Sequence, residues 1–257
     1  MPVSTTVTGM VLSAMPVGDY DKRLVILTTE MGKISAFAKG ARRPNSAYMA
    51  CSQPFAFGEF TLYAGKSYNV MSTEITNYFG ELREDFEGLC YGFYFCEFVD
   101  YMTKENNDEK EILKLLYQTL RALAKKTISP LLIKAIFEFK IMALNGEAPQ
   151  VFGCVKCQKS MTDATPQEDA SCTSRYYFSS ECGGILCENC RAYDRSAVSI
   201  NTSTLYTMQF ILSKEIEKLY TFKVTDEILN ELNRCIRPYL DRYIDHEFKS
   251  MEMLKSL

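Results

Sequence analysis

Four cysteines are the residues whose spacing in this sequence most directly implies chemistry. Cys154 and Cys157 form one Cys-x-x-Cys pair, and Cys187 and Cys190 form a second. A two-residue gap lets both sulfurs of a pair turn toward one point, and two pairs complete a tetrahedral sulfur shell. The pattern predicts one structural Zn2+ per chain, with no open coordination position for a substrate. Reduced or disulfide-bonded core cysteines are the competing reading, and they account less well for paired spacing. The stretch between the pairs, 158–186, is longer than a compact ribbon needs, so part of it must loop out. Gly183-Gly184 just before the second pair suits a knuckle, where amides turn toward sulfur and left-handed backbone is needed.

The second chemical feature is the run Lys39-Gly40-Ala41-Arg42-Arg43-Pro44. Gly40 and Ala41 carry no bulk, which leaves the backbone open to an anion between flanking cations. Pro44 biases Arg43 toward extended geometry. The run lies in a basic part of an otherwise acidic chain. Residues 1–70 hold seven Lys and Arg (Lys22, Arg23, Lys33, Lys39, Arg42, Arg43, Lys66) against Asp19, Asp21, Glu30 and Glu59. That is a net +3, which leaves −6 for the remainder of a chain whose total is −3. A small basic module on an acidic body fits a polyanion-binding role, although a solvated surface produces the same imbalance.

Catalytic patterns are missing. The sole histidine, His246, falls late in an expected helix between Asp245 and Glu247, with no serine nucleophile motif to serve. Neither cysteine pair follows a proline or accompanies a His-x-Glu element, as a zinc deaminase would require. A Gly-x4-Gly-Lys-Ser/Thr phosphate loop is also absent. Cys51, Cys90, Cys96 and Cys235 fit buried apolar filler. The N-terminus lacks the basic start and apolar run of a secretion signal, and no stretch approaches a membrane span. Ten cysteines without such a signal point to thiols and metal ligands in the cytoplasm.

The elements that must position these groups follow from periodicity. The first eighty residues read as β: strands at 7–12, 23–29, 32–38, 55–63 and 68–73, the second and third joined through Glu30-Met31-Gly32. Five short strands in that length suggest a small barrel, and the oligonucleotide-binding (OB) fold is a common one of that size. Residues 84–103, apolar almost all round, predict a buried helix, with Gly88 and Gly92 admitting a neighbouring backbone. A second helix is expected from Asp108 as N-cap, with Glu111 completing a capping box. It bears an apolar stripe and, on another face, Lys110, Lys114, Arg121 and Lys125. Ser129-Pro130 opens a third helix that stops at Asn145-Gly146. A fourth is expected over Leu205–Leu219 and a fifth from Thr225, where Pro238 must kink it or start another. A hairpin is expected near Arg175–Phe178.

Several segments together resemble one family. Thr8-Gly9-Met10-Val11-Leu12, Thr29 through Ala38, Lys39 through Ser46 and Gln53-Pro54-Phe55 resemble the start of the bacterial DNA-repair and recombination-mediator family RecO. Gly146-Glu147-Ala148-Pro149 leading to Cys154-Val155-Lys156-Cys157 is similar to that family's entry to a zinc module. Gly183-Gly184-Ile185-Leu186-Cys187-Glu188-Asn189-Cys190 resembles the exit, and Lys249 through Leu254 the C-terminal signature. Cys182 departs from the family pattern, which favours a small residue or glycine there. It leaves open whether Cys182, or Cys172, substitutes as a ligand.

The resemblance implies an α+β multi-domain protein: an OB-fold β-barrel at 1–80, a helical domain at 81–150 and 197–257, and a four-cysteine zinc insert at 151–196. It implies a non-enzymatic role in the bacterial cytoplasm, associated with the nucleoid. There the chain would bind single- and double-stranded DNA, anneal complementary strands and act with RecR. The pair would help RecA replace the single-strand-binding protein, whose acidic C-terminal tail is a further expected partner. Neither a membrane nor a small-molecule substrate is implied. Arg23, Lys33, Lys39, Arg42, Arg43 and Lys66 are then the candidate DNA contacts, with base stacking on Tyr20, Tyr48 or Tyr68. Lys110, Lys114, Arg121 and Lys125 form a possible secondary basic face. A zinc-stabilised protein-interaction adaptor without direct DNA binding is the alternative, and a metal-dependent hydrolase is remote because four thiolates leave no open position.

Overall fold

The computed structural model describes residues 3–161 and 175–255; Cys172 lies outside them. The chain divides into two compact units, Met1–Lys126 with Glu247–Leu257, and Thr127–His246.

In the first unit, β1 (Val3–Val17), β2 (Asp21–Thr28), β3 (Gly32–Ala38), β4 (Phe57–Ala64) and β5 (Tyr68–Asn77) close an OB-like barrel in the order β1-β2-β3-β5-β4. Strand β1 is much longer than the expected 7–12. Its first half pairs with β4 and its second half with β2, the two ladders overlapping at Gly9 and Met10. Alternation does the inward sorting: Ile34, Ala36 and Ala38 point into the barrel core with Leu24, Phe60 and Leu62. The fourth strand begins at Phe57 and not at Phe55, because Phe55 has a positive φ of 73°. Phe55 leaves the ladder, and its ring packs 5.3 Å from that of Phe93.

Three helices follow, α1 (Gly80–Arg83), α2 (Phe86–Met102) and α3 (Lys110–Lys125). What approaches Gly92 most closely is side chain and not backbone: the ring of Phe55, whose Cζ would lie 3.0 Å from an added Cβ. The expected capping box at Asp108 is not formed. Glu109 occupies the cap position without a side-chain cap bond, and its carboxylate accepts from the Lys104 amide instead (3.3 Å). Helix α4 (Pro130–Leu144) belongs to the second unit.

The C-terminal helix of the first unit is held by α2, although it is remote in sequence. We number it α7 (Lys249–Lys255), after α5 (Thr202–Ser213) and α6 (Asp226–Tyr243) of the second unit. The Phe248 ring stacks on Phe98 at 4.7 Å. Glu97 accepts from the amides of Lys249 (3.0 Å) and Ser250 (2.9 Å) and from the Ser250 hydroxyl (2.6 Å). A carboxylate bound to orphan amides at a helix start complements their partial charge. Glu97→Ala should therefore destabilise the α7 attachment by about 1 kcal/mol, read as faster amide exchange over 249–255. Unchanged exchange would remove the cap from the account.

In the second unit, α4 begins as expected: Ser129 Oγ accepts from the Leu132 amide at 3.2 Å, with Pro130 in the first turn. The helix expected over 205–219 is two pieces. Helix α5 ends at Ser213, and a separate 3-10 turn covers Ile216–Lys218. The buried Lys140 ammonium donates to the carbonyls of Leu212 (3.2 Å) and Lys214 (2.7 Å). A cation at those carbonyls favours termination there. Thr225 caps α6 as expected, but Pro238 sits inside one continuous helix and starts no new one. His246 lies beyond the end of α6, exposed in the segment before α7, and not within a helix. A three-stranded sheet, ordered β7-β6-β8, joins β6 (Tyr176–Ser179), β7 (Gly184–Leu186) and β8 (Val198–Ile200). The hairpin expected near Arg175–Phe178 is displaced: that span enters the single strand β6, and the turn to β7 falls at 180–183. Among the described residues no helix is long and apolar enough to cross a membrane.

Candidate metal centre and nucleic-acid interface

The second unit brings Cys154, Cys157, Cys187 and Cys190 together, with their four Sγ atoms all within 4.8 Å of one another. Cys154, Cys187 and Cys190 are buried and Cys157 is exposed. Metal–sulfur bonds of about 2.3 Å in a tetrahedron require sulfur–sulfur edges of about 3.8 Å, and the Cys157–Cys187 separation is 3.7 Å. The donor set therefore fits a tetrahedral thiophilic cation. Cys182 is not in this group; it sits in the β6–β7 turn, where its amide donates to Ser179 Oγ at 2.8 Å.

Backbone hydrogen bonds set both knuckles. The Cys154 amide donates to Lys159 O and the Gln158 amide to Cys154 O, each at 2.9 Å. The positive φ of this knuckle falls on Gln158 (60°). In the second pair the Cys190 amide donates to Cys187 O at 2.9 Å, opening a 3-10 turn over Glu188–Tyr193. Across the two pairs, the Cys187 amide is aimed at sulfur, 3.5 Å from Cys154 Sγ. Gly183 and Gly184 have other work than the expected knuckle. Gly183 (φ 79°) turns the hairpin, and Gly184 gives room to Gln150, whose carbonyl oxygen would lie 2.3 Å from an added Cβ. From α5, the buried Gln209 amide group donates to Val151 O (2.8 Å) and Met161 O (3.0 Å), pinning both ends of the first knuckle segment.

The same geometry splits the thiols. Burial pushes the Cys154 thiol up, but amides of Cys157, Cys187 and Lys156 outweigh it and bring it down to about 6. Burial and the neighbouring thiols push Cys187 up, and Cys190 up to about 12. Four sulfurs this close cannot all ionise without a cation between them. The remaining cysteines, Cys51, Cys90, Cys96 and Cys235, are buried, as expected of apolar filler.

In the first unit, the strand registers Lys22–Ala38, Ala36–Tyr68 and Tyr68–Ala64 bring three connections out at one end of the barrel. These are the β1–β2 turn, the start of the 39–56 loop and the β4–β5 turn bearing Lys66. Lys39, Arg42, Arg43 and Lys66 are all exposed there. The loop is seamed to the β1–β2 turn. Gly40 N donates to Asp21 Oδ1 (2.7 Å), Arg42 N to Tyr20 O (2.8 Å), and Arg42 Nη1 to Gly18 O (3.2 Å). Arg43 lies over the Tyr20 ring at 5.1 Å. Ala41 is buried in the barrel core, so the loop's outward face is made by its cations. Tyr20 is 52% exposed, whereas Tyr48 and Tyr68 pack against the barrel core. Arg23 is exposed on β2, next to Met15 and Phe37 in register.

Lys33 is placed differently. Its ammonium meets Asp100 Oδ1 of α2 at 2.9 Å and also donates to the Asp100 carbonyl, so it ties β3 to α2. On α3, Lys110 reaches Asp108 at 3.7 Å, Arg121 lies over the Tyr117 ring at 6.0 Å, Lys125 is exposed and Lys114 half-buried.

Comparison with known proteins decides the family. The model described as "Recombination protein O N terminal" matches residues 1–79, and "Recombination protein O C terminal" matches 83–252. The chain belongs to the RecO family. A "DNA repair protein RecO" from Alkaliphilus metalliredigens is 34% identical over 251 residues, 97% of this chain and 98% of that protein. The RecO of Acetivibrio thermocellus is 30% identical over 250 residues, 97% and 95% of the two chains. RecO membership makes this a DNA-repair protein.

Proposed function

We propose that this chain is a non-enzymatic recombination mediator of the bacterial cytoplasm that holds DNA strands and presents them to partner proteins. The observation that carries the reading is the barrel end itself. Lys39, Arg42 and Arg43 stand exposed in a loop fixed by backbone bonds, and among the described residues none of them pairs with a carboxylate. Arg forks meet phosphate oxygens bidentately and Lys adds a point charge, while the Tyr20 ring offers a base-stacking surface. Arg23 and Lys66 extend the positive region, and the α3 cations form a secondary face. Annealing follows from charge neutralisation, because two polyanionic strands held by one basic surface repel each other less.

In this reading residues 1–80 hold DNA, and the helices of 81–150 and 197–257 offer the surfaces that meet RecR and the acidic tail of the single-strand-binding protein. Loading of RecA is the outcome. The insert at 151–196 is a structural module, with Zn2+ held by Cys154, Cys157, Cys187 and Cys190. Zinc would supply only a cross-link between the knuckles.

Lys39→Ala/Arg42→Ala/Arg43→Ala should weaken single-strand binding and flatten its salt dependence. Each lost phosphate contact removes about 0.7 from the slope of log K against log salt, so the triple variant should lose about 2. Fluorescence anisotropy of a labelled oligothymidylate at several salt concentrations reads this, and an unchanged slope would remove the loop from the mechanism.

A further inference from the structure

Two cations absent from the basic loop converge on it from other elements. Lys22, half-buried at the start of β2, donates from Nζ to Ser52 O at 3.0 Å. Arg83, exposed at the end of α1, donates from Nη2 to Pro54 O at 3.1 Å. Carbonyls two residues apart lie at most about 7 Å from each other, so both charges stand over one short piece of the 39–56 loop. Arg42, whose guanidinium donates to Gly18 O at 3.2 Å, is the third charge, close enough to act on Lys22. Among the described residues none of the three pairs with a carboxylate, although Glu81 and Glu84 flank Arg83 in sequence. The electrostatics agree. Burial holds the Lys22 ammonium below the ordinary lysine value, and Arg42 and Arg83 lower it further against a smaller opposing pull from Cys51. Asp21, the carboxylate next to Lys22 in sequence, accepts from the Gly40 amide at 2.7 Å.

We propose that Lys22, Arg42 and Arg83 form a second phosphate-binding point, taking a phosphodiester of the same single strand that Lys39 and Arg43 hold at the barrel end. The proposal rests on the DNA-holding reading above and adds Lys22 and Arg83 to it. Like charges gathered without an ion-paired carboxylate repel one another, and a bound anion relieves that repulsion. The carbonyls of Ser52 and Pro54 each accept from one cation and hold the side chain in place. Less conformational freedom is then lost on binding. Each carbonyl takes a single contact from its cation, so further N–H donors on the Arg83 fork and the Lys22 ammonium remain for phosphate oxygens.

The test is an anisotropy titration of the full chain with a labelled oligothymidylate across a salt series. The variants are Arg83→Gln, Lys22→Gln/Arg83→Gln and, for the loop alone, Lys39→Ala/Arg43→Ala; thermal melts confirm folding. The proposal expects the double Gln variant to bind several-fold more weakly and to lose about 1.4 from the salt slope, and Arg83→Gln alone about 0.7. Arg83→Lys, which keeps the charge, should retain most of the slope. If Lys22→Gln prevents folding, the Arg83→Gln slope decides. Wild-type affinity and slope in folded Gln variants, with the loop variant weakened, would overturn this proposal and leave the DNA reading standing. Wild-type behaviour in both sets would overturn the reading itself. Gln variants that lose binding to a labelled poly-glutamate peptide while retaining DNA binding would assign the cluster to acidic protein segments and overturn the proposal.

Discussion

Replacing Cys187 with Ser, or stripping the chain with a strong chelator, should unfold the cysteine module and abolish a one-to-one metal content. Cys187 is the hinge of the site: its sulfur is 3.7 Å from that of Cys157 and its amide bonds the Cys154 sulfur. Structural zinc contributes about 10–16 kcal/mol to small modules, while the whole stability of a domain is about 5–15 kcal/mol. What remains without the ion is thin. The Gln209 bonds to Val151 and Met161 persist, and backbone bonds from Val155 to Ile185 (2.9 Å) and from Ile185 to Gln150 (2.8 Å) still tie the two cysteine segments together, but none of them holds the four sulfurs at one point as four metal bonds would. Hydrogen exchange should show lost protection over 151–161 and 184–194 before the helices of the same unit open. Metal uptake should also tighten as pH rises. The ligating form is the thiolate, and while Cys154, at about 6, is ionised near neutrality, Cys187 and Cys190 hold their protons above the ordinary thiol range. Elemental analysis that finds no metal in freshly purified protein, or exchange unchanged after chelation, would refute this account.

The metal site was legible in the sequence because its information is local. Two residues between cysteines constrain each knuckle without knowledge of the rest of the chain. The roles of Gly183 and Gly184 were not legible for the opposite reason. A glycine announces unusual backbone or close approach, but what approaches is decided by Gln150, over thirty residues earlier, through the bond from Ile185 N to Gln150 O. Gln158 supplies the left-handed residue of the first knuckle, and nothing in its type signals that. The three-residue strand β8 was equally hidden, since three residues carry too little alternation to be distinguished from loop.

The helices divide along the same line. Ser129 and Thr225 cap as expected because a cap needs only its own first turn. Helix α5 stops early because Lys140 of α4 reaches its final carbonyls, a long-range bond that the apolar stripe through Leu219 cannot report. Asp108 lost the cap to Glu109, and Pro238 stays within α6, where Cys235, Ile236 and Tyr239 are buried around it. Burial of those side chains offsets a missing backbone donor. The basic loop was legible as charge; its attachment to the β1–β2 turn through Asp21 and Tyr20 was not, nor was Lys33's engagement with Asp100. Charge is a property of composition, and counter-ions are a property of the fold.

Gly58→Ala should destabilise the barrel by at least about 3 kcal/mol, at the upper end of what overpacking produces. Strand β1 leaves its pairing with β4 and continues on β2 around Gly9 and Met10, and Gly58 is the β4 residue opposite Gly9. An added Cβ on Gly58 would lie 2.2 Å from Glu74 O and 2.7 Å from Ile75 Cα, both backbone atoms of β5. Gly9 is equally confined, 2.5 Å from Leu27 O. Side chains can rotate out of a clash; a ladder carbonyl cannot without breaking its own hydrogen bonds. The substitution therefore forces β5 away from β4, beside the register shift between Phe57 and Gly58. Gly80→Ala supplies the control, since an added Cβ there meets nothing within 4 Å and the residue opens α1. Helix propensity predicts a gain of up to about 1 kcal/mol for it. Urea denaturation compares the two directly. If Gly58→Ala falls within about 1 kcal/mol of the parent chain, β1 can change partners without the close backbone approach, and this explanation of barrel closure fails.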